Sequence, residues 1–429
     1  MSSGLLRDGA IYTAANVLSA GVPFLLLPVL TRALEPQEYG AVVNFFMLVS
    51  LCNALAGLGV HSAVSVKWFS REGEDFPAYV GAAVVLAMLS TALCSGALAF
   101  AALAFANDLG LARWCWPLAA VFAGSLAIIG VRTTLWQSQR MALRAAGLQV
   151  TNAVVNISLS LFAVFALALG GAGRIAGAVL ASVLCAGAAI ALLRSAGDMR
   201  WSTAWRDILK LLRFGLPLIP HTLAGALMAS ADRFSVAGGL GVEALGVYGA
   251  AAQLGMAMNI LGDAMVKALS PWMYRQMASP SGAGRLRVVA ATYLLVPIWL
   301  ILALTLWGVF ALAGPLLLDK RYLAAIDLVP FFLLGGAMSS IYLNIAGLYF
   351  FTSKTEWLST ATVLSSASAL VLAPLMVAKF GLRGAAFAYF LIQALQLVLS
   401  WLLSTRVQPM PWARPGMALR VLARSWHRR

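Results

Sequence analysis

The chain is 429 residues long, 62% hydrophobic and only 10% charged, with a formal net charge of +15. An ordinary globular domain carries about 25% charged residues, so the composition excludes a typical soluble enzyme. About twelve apolar stretches, most of roughly 20 residues, fill nearly the whole chain, which also excludes a soluble nucleic-acid binder as the meaning of the basic balance.

In chain order the stretches are 9–31, 41–66, 78–105, 114–136, 148–169, 174–193, 209–231, 245–266, 288–313, 325–350, 357–378 and 383–404. Each can cross a hydrocarbon core of about 30 Å as a helix, the form that satisfies its own backbone hydrogen bonds in lipid. The first follows a short polar start, Ser2 to Asp8, and passes Pro23 and Pro28. It is too long for a signal-peptide core and reads as a retained span, kinked in its outer half by the prolines. Gly57-Leu58-Gly59 in the second stretch and the Ala/Gly-rich fifth and sixth offer small residues for close helix packing.

Charge sets the expected orientation. The connector 194–213 carries Arg194, Arg200, Arg206, Lys210 and Arg213 against Asp198 and Asp207, and 267–287 carries Lys267, Arg275, Arg285 and Arg287 with no acid. The tail beyond Arg406 adds Arg414, Arg420, Arg424, Arg428 and Arg429. On the other side Arg32, Arg113, Arg174, Arg233, Lys320, Arg321, Lys379 and Arg383 are balanced by Glu35, Glu38, Asp108, Asp232, Glu243, Asp319 and Asp327. The positive-inside rule then puts both termini in the cytoplasm and the surplus charge beside anionic headgroups. The tail reads in two ways, as an amphipathic segment on the membrane surface (Trp412, Met417, Leu419, Val421, Leu422 and Trp426 among arginines) or as a frayed basic end.

Cys52, Cys94, Cys115 and Cys185 are isolated in or beside apolar spans, and His61, His221 and His427 lack metal-ligand spacing. These spacings suggest no metal site, and the spans follow one another with no room for a nucleotide-binding domain. No cofactor is expected; any driving force would come from H+, Na+, the membrane potential or the substrate's own gradient.

The chain repeats itself. The first span opens with Gly9, Tyr12 and Asn16, passes Pro23 and Pro28, and ends in Thr31-Arg32 before Glu35-Pro36-Gln37-Glu38-Tyr39-Gly40. The seventh opens with Arg213-Phe214-Gly215-Leu216-Pro217, passes Pro220, and reaches Asp232-Arg233, with Gly246-Val247-Tyr248-Gly249 after a longer loop. A duplication implies two bundles of six helices in the same orientation, residues 1–200 and 201–405, followed by a basic cytoplasmic tail, 406–429. Transporters built from such halves rock them around a shared central site.

These residues, with Lys320-Arg321-Tyr322, the connector from Tyr349 to Thr355, and Phe380-Gly381-Leu382-Arg383-Gly384-Ala385-Ala386, carry a resemblance over about residues 5–404. The chain resembles the multidrug/oligosaccharidyl-lipid/polysaccharide exporter superfamily, and within it the polysaccharide-transport branch of O-antigen and capsule repeat-unit flippases. The resemblance implies an all-α polytopic protein of the bacterial inner membrane, with two six-helix bundles forming a V-shaped transporter. It implies alternating access for an undecaprenyl-pyrophosphate-linked oligosaccharide of lipopolysaccharide or other polysaccharide biosynthesis, carried from the cytoplasmic to the periplasmic leaflet. Membrane lipids, a polysaccharide polymerase and a chain-length regulator are the expected partners, and nucleic acid is not.

A flippase must hide a pyrophosphate and a hydroxyl-rich glycan from acyl chains, so cationic and hydrogen-bonding side chains should line its path. Arg32 and Arg233, at corresponding outer ends in the repeat, fit either a gate touching the pyrophosphate or local pairs, Arg32 with Glu35 or Glu38 and Arg233 with Asp232 or Glu243. Lys67, Arg132 and Arg140, near the cytoplasmic ends of the second and fourth spans, and Lys267 and Arg275, near the end of the eighth, fit pyrophosphate reception or ordinary anchoring. Asp263, the lone acid in 245–266, is expected to pair with Lys267 four residues on. Asn16, His61, His221, Gln253, Asn259 and Asn344 fit sugar binding or interhelical hydrogen bonds, with Asn16 favoured because it belongs to the opening motif.

Two other functions compete. A drug or small-molecule/cation antiporter of the same superfamily would prefer an acidic cavity, and intramembrane acids are scarce here. A membrane glycan polymerase or ligase would be expected to carry a large outer loop, and the outer connectors are short.

Overall fold

The computed structural model describes residue 21 and residues 23–72, 75–105, 110–279, 282–352 and 354–426. Among them every regular element is helical. In order these are α1 Pro23–Ala33, α2 Pro36–Ala56, α3 Val60–Trp68, α4 Phe76–Phe105, α5 Cys115–Ser138 and α6 Ala142–Leu161. A π-helical turn, Phe162–Ala166, leads to α7 Gly170–Ser195 and α8 Trp205–Gly215. Then come α9 (219–240), α10 (242–278), α11 Gly282–Leu317, α12 Val329–Thr352, α13 (355–380), α14 (382–407) and α15 Pro415–Trp426. Nine helical runs are long and apolar enough to cross a membrane among the described residues, and two of these are each divided by a glycine, at Gly241 and Gly381.

Several expected boundaries move, each for a local reason. The second stretch is two helices, because Leu58 (φ 45) and Gly59 (φ 62) both adopt left-handed backbone. Gly215 admits this kink: a Cβ there would lie 2.2 Å from the Leu58 carbonyl oxygen. The seventh stretch starts outside the membrane helix proper. Its first part is α8, which buries Ile208 and Leu211 while presenting Arg206, Lys210 and Arg213, and Pro217 sits in the short 3-10 turn that ends it.

The loop expected after Asp232-Arg233 does not exist. Both residues lie inside α9, about two turns before it meets α10 at Gly241 (φ 89). Arg233 is therefore not at a helix end. The eighth stretch also runs on past 266 to Ala278, with Pro271 inside it, so Asp263 and Lys267 sit within the helix and not near its terminus.

The chain packs as two compact units. The first is Met1–Arg233 with Leu240–Gly249, and the second is Phe234–Gly239 with Ala250–Arg429, so the division runs through α9 and α10. The core of the first unit includes many small and β-branched residues, such as Val64, Val80, Ala83, Val84 and Val131. Its helices approach closely at glycines: a Cβ on Gly177 of α7 would come within 2.7 Å of the Ser160 backbone on α6.

The second unit packs α10 against α12 in the same way, with Gly255 facing Phe332 and Gly262 facing Ser340. Its tail is not a frayed end over the described residues. Met410, Trp412 and Ala418 are buried, the Tyr293 hydroxyl donates to the Trp412 carbonyl at 2.8 Å, and Arg285 reaches the Pro409 carbonyl at 3.3 Å.

Candidate functional site

Only three charged side chains are fully buried among the described residues: Arg132, Arg174 and Asp232, all in the first unit. Two of them lie toward the end of the unit where α1 gives way to α2. There Gly40 of α2 faces the Val242 carbonyl and Gly246 of α10 faces the Pro36 carbonyl, so closely that a Cβ on either would stand 1.9 Å from the oxygen. The two Tyr-Gly steps of the repeat are thereby brought together. Asp232, 5% exposed, accepts from the Tyr248 hydroxyl at 2.5 Å and from the Arg233 backbone N–H at 2.8 Å.

Glu38 serves two helix starts at once. Its Oε2 accepts from the Glu35 backbone N–H at 3.1 Å, and its Oε1 accepts from the Gly171 N–H at 3.3 Å at the start of α7. Helix N-termini favour a negative charge, so this carboxylate pins α2 to α7. Tyr39, the next residue, is buried within electrostatic reach of both Arg174 and Arg233.

Arg174, counted from sequence as a connector charge, is 6% exposed inside α7. Its Nη1 donates to Asn156 Oδ1 at 3.0 Å and to Ser160 Oγ at 2.7 Å, and its guanidinium lies 5.2 Å from the Phe46 ring centroid. Its Nε is buried without an acceptor, and no carboxylate among the described residues forms an ion pair with it. The signal available in sequence was the polar spacing Asn156, Ser160 on one helix, which only matters once α7 is known to lie beside it.

At the opposite end of the unit Arg132 is tied down. Its Nη1 lies 2.5 Å from Asp198 Oδ2, its guanidinium sits 4.1 Å above the Trp136 ring, and Gln139 Nε2 donates to the other Asp198 oxygen at 3.3 Å. Arg200 follows, donating its backbone N–H to the Pro77 carbonyl at 2.9 Å and pairing with Asp75. This strap holds the segment after α7 against α4 and α5.

The remaining expected residues do not converge with these. Asn16 lies outside the described residues, as does the side chain of His221. Arg32 is exposed near the end of α1, and Lys67 is half-buried near the end of α3. His61 packs beside Gly130, whose Cβ position is 3.4 Å from the His61 Cβ. Arg140 is exposed in the turn between α5 and α6 with φ 58, and there the Met141 N–H closes on the Trp136 carbonyl at 2.8 Å.

In the second unit Lys267 Nζ lies 2.5 Å from Asp263 Oδ2, the i,i+4 spacing that sequence suggested. Arg275 donates back to the Pro271 carbonyl at 3.2 Å, and Asn259 Oδ1 sits 3.4 Å from the Cβ position of Gly336. Gln253 contacts Met256 Sδ at 3.6 Å, and Asn344 is buried in α12. On the connector before α12, the Arg321 guanidinium and backbone N–H hold the Asp319 carboxyl below its ordinary pKa.

Residues 5–277 match a family model described as polysaccharide biosynthesis protein. A Lsg locus protein of Haemophilus influenzae is 24% identical over 378 residues, covering 84% of this chain and 88% of that protein. A second Haemophilus influenzae membrane protein is 23% identical over 388 residues, with the same coverage of each. Among solved structures, the inward-facing conformation of a multidrug resistance MATE family transporter of the MOP superfamily gives a TM-score of 0.68 at 15% identity, covering 90% of this chain and 94% of that one. The outward-facing conformation of a transporter of the same description gives 0.57 at 17% identity, covering 94% and 95%. The architecture is thus the MATE-like transporter fold of a multi-pass membrane protein.

Proposed function

Since this chain belongs to the polysaccharide biosynthesis protein family, we propose that it is a flippase for undecaprenyl-pyrophosphate-linked oligosaccharide repeat units. In this reading it carries them from the cytoplasmic to the periplasmic leaflet of a bacterial inner membrane by alternating access. The α1–α2 end of the first unit is then periplasmic and both termini are cytoplasmic. The proposed motion is of the two repeat-related halves, 1–200 and 201–405.

The observation that carries the reading is the Arg174 guanidinium, buried without a carboxylate ion-pair partner among the described residues. Of the three buried charged side chains, Asp232 is already engaged by Tyr248, Arg132 is neutralised by Asp198, and Arg174 is left with neutral partners only. A buried guanidinium held by neutral groups alone suits an anionic cargo, since an unpaired charge in a membrane interior is costly. A drug or cation antiporter calls instead for an available buried carboxylate, and the described residues offer none besides Asp232. The transport steps in this reading involve no covalent chemistry, which separates it from a glycan polymerase or ligase.

The test is deletion of the gene in its native host, followed by analysis of undecaprenyl-linked glycans on the cytoplasmic side. Accumulation of one defined repeat unit, relieved by restoring the gene, is the expected outcome. Unchanged lipid-linked glycans together with increased drug sensitivity would replace the flippase by the antiporter.

A further inference from the structure

Helix α6 carries Gln149, Asn152, Asn156 and Ser160. At 100° per residue these four fall within an arc of about 80° on one face. The last two are the partners of Arg174, so the stripe leads along α6 to the buried guanidinium. Asn152 Oδ1 is buried with no hydrogen-bond partner, as is Arg174 Nε, while Gln149 and Asn156 are half-buried and leave the stripe open along part of its length.

Four hydrogen-bonding side chains aligned in a membrane helix are expensive against lipid, and such residues face the bundle interior or a water-filled path. The two neutral acceptors and the Phe46 ring reduce the desolvation cost of Arg174 but supply no counter-charge. A planar guanidinium with an idle N–H, flanked by amide and hydroxyl groups, matches an oxyanion carried on a hydroxylated ligand.

We propose that Arg174, with Asn152, Asn156 and Ser160, forms an oxyanion site inside the first unit that holds an anionic group of the cargo. The shared chemistry is a phosphate or carboxylate oxygen pair on the guanidinium, with neighbouring hydroxyls on the asparagines. Its source is either the pyrophosphate of the lipid carrier or an acidic sugar of the glycan. The choice between those sources rests on the flippase reading, but the site does not.

The experiment uses the full-length protein purified in detergent, with inorganic pyrophosphate and glucuronate as separate probes in a thermal-shift and binding titration. At least one probe should raise the melting temperature of the wild type by several degrees. Arg174→Gln should abolish that shift, and Asn152→Ala, which leaves both Arg174 hydrogen bonds in place, should weaken binding severalfold. A response to pyrophosphate alone assigns the site to the lipid carrier; a response to glucuronate alone assigns it to an acidic sugar.

The proposal is overturned if neither probe acts on the wild type, or if Arg174→Gln binds as the wild type does. Should Arg174→Gln not fold, Asn152→Ala decides, since wild-type binding by that variant removes the stripe from the site. Oxyanion binding with no accumulation of lipid-linked glycan in the deletion strain would keep the site while rejecting the flippase reading.

Discussion

The hydroxyl of Tyr248 donates to the carboxylate of Asp232 at 2.5 Å, and both side chains are buried. The two residues come from α9 and α10, on either side of the Gly241 break, so the bond closes the corner between these helices. Tyr248→Phe removes a donor from a buried carboxylate and should destabilise the protein by about 1–3 kcal/mol. Thermal unfolding in detergent reads this directly. Adding Asp232→Asn to Tyr248→Phe should recover part of the loss, because the buried charge goes with the donor; additive losses would show that the two side chains are not coupled.

The crossing of α2 and α10 depends on two missing side chains. Gly40→Ala and Gly246→Ala each place a Cβ 1.9 Å from a backbone carbonyl oxygen, where neither partner can yield as a flexible side chain would. Each should lower the melting temperature and the yield of folded protein. Gly225→Ala in α9, which meets nothing within 4 Å, serves as the control and should be neutral or stabilising by about 1 kcal/mol. Equal behaviour of all three variants would remove the close crossing.

The same crossing can be locked. The Cβ position of Gly249 lies 3.5 Å from the Val43 Cβ, inside the range of about 3.5–4.5 Å typical of disulfides. In a background with Cys52, Cys94, Cys115 and Cys185 replaced, Val43→Cys with Gly249→Cys should cross-link on oxidation, seen as loss of thiol labelling. If the crossing parts during the cycle, transport should stop on oxidation and return on reduction. A cross-linked protein at full activity would mean the crossing is static.

Two ion pairs with similar lengths should behave differently. The Arg132–Asp198 pair has side chains 3% and 19% exposed, whereas those of Asp263–Lys267 are 56% and 42% exposed. Arg132→Gln strands a partly buried carboxylate and should cost about 3 kcal/mol. Lys267→Met should change stability by no more than about 1 kcal/mol if its pair faces water. A loss above about 2 kcal/mol for Lys267→Met would place Asp263 against lipid instead. If Asp263→Asn with Lys267→Met transports normally, the pair takes no part in transport.

Orientation follows from surface labelling. Lys320 and Thr203 are both exposed, on the connectors that follow α11 and α7. In the same cysteine-free background, a membrane-impermeant thiol reagent should label Lys320→Cys on intact spheroplasts and Thr203→Cys only after permeabilisation. The reverse pattern would invert the topology.

Hydropathy alone was enough to read an all-helical membrane architecture, because a backbone in lipid must satisfy itself and spans of that length are helices wherever they occur. The Asp263–Lys267 contact was equally legible, since partners four residues apart share a helix face whatever surrounds them. The break at Gly241 was not, because a glycine left-handed turn between two helices and a flexible loop look alike in composition. Nor was the burial of Arg174: a hydropathy window averages over all faces of a helix, and a charge near a span end reads as a connector residue. Only the packing of α7 on α6 put Asn156 and Ser160 against that guanidinium, and only the approach of α10 to α2 gave Asp232 its tyrosine. Local spacing is written along one helix, whereas the neighbours of a buried polar group come from other helices and exist only once the bundle has closed.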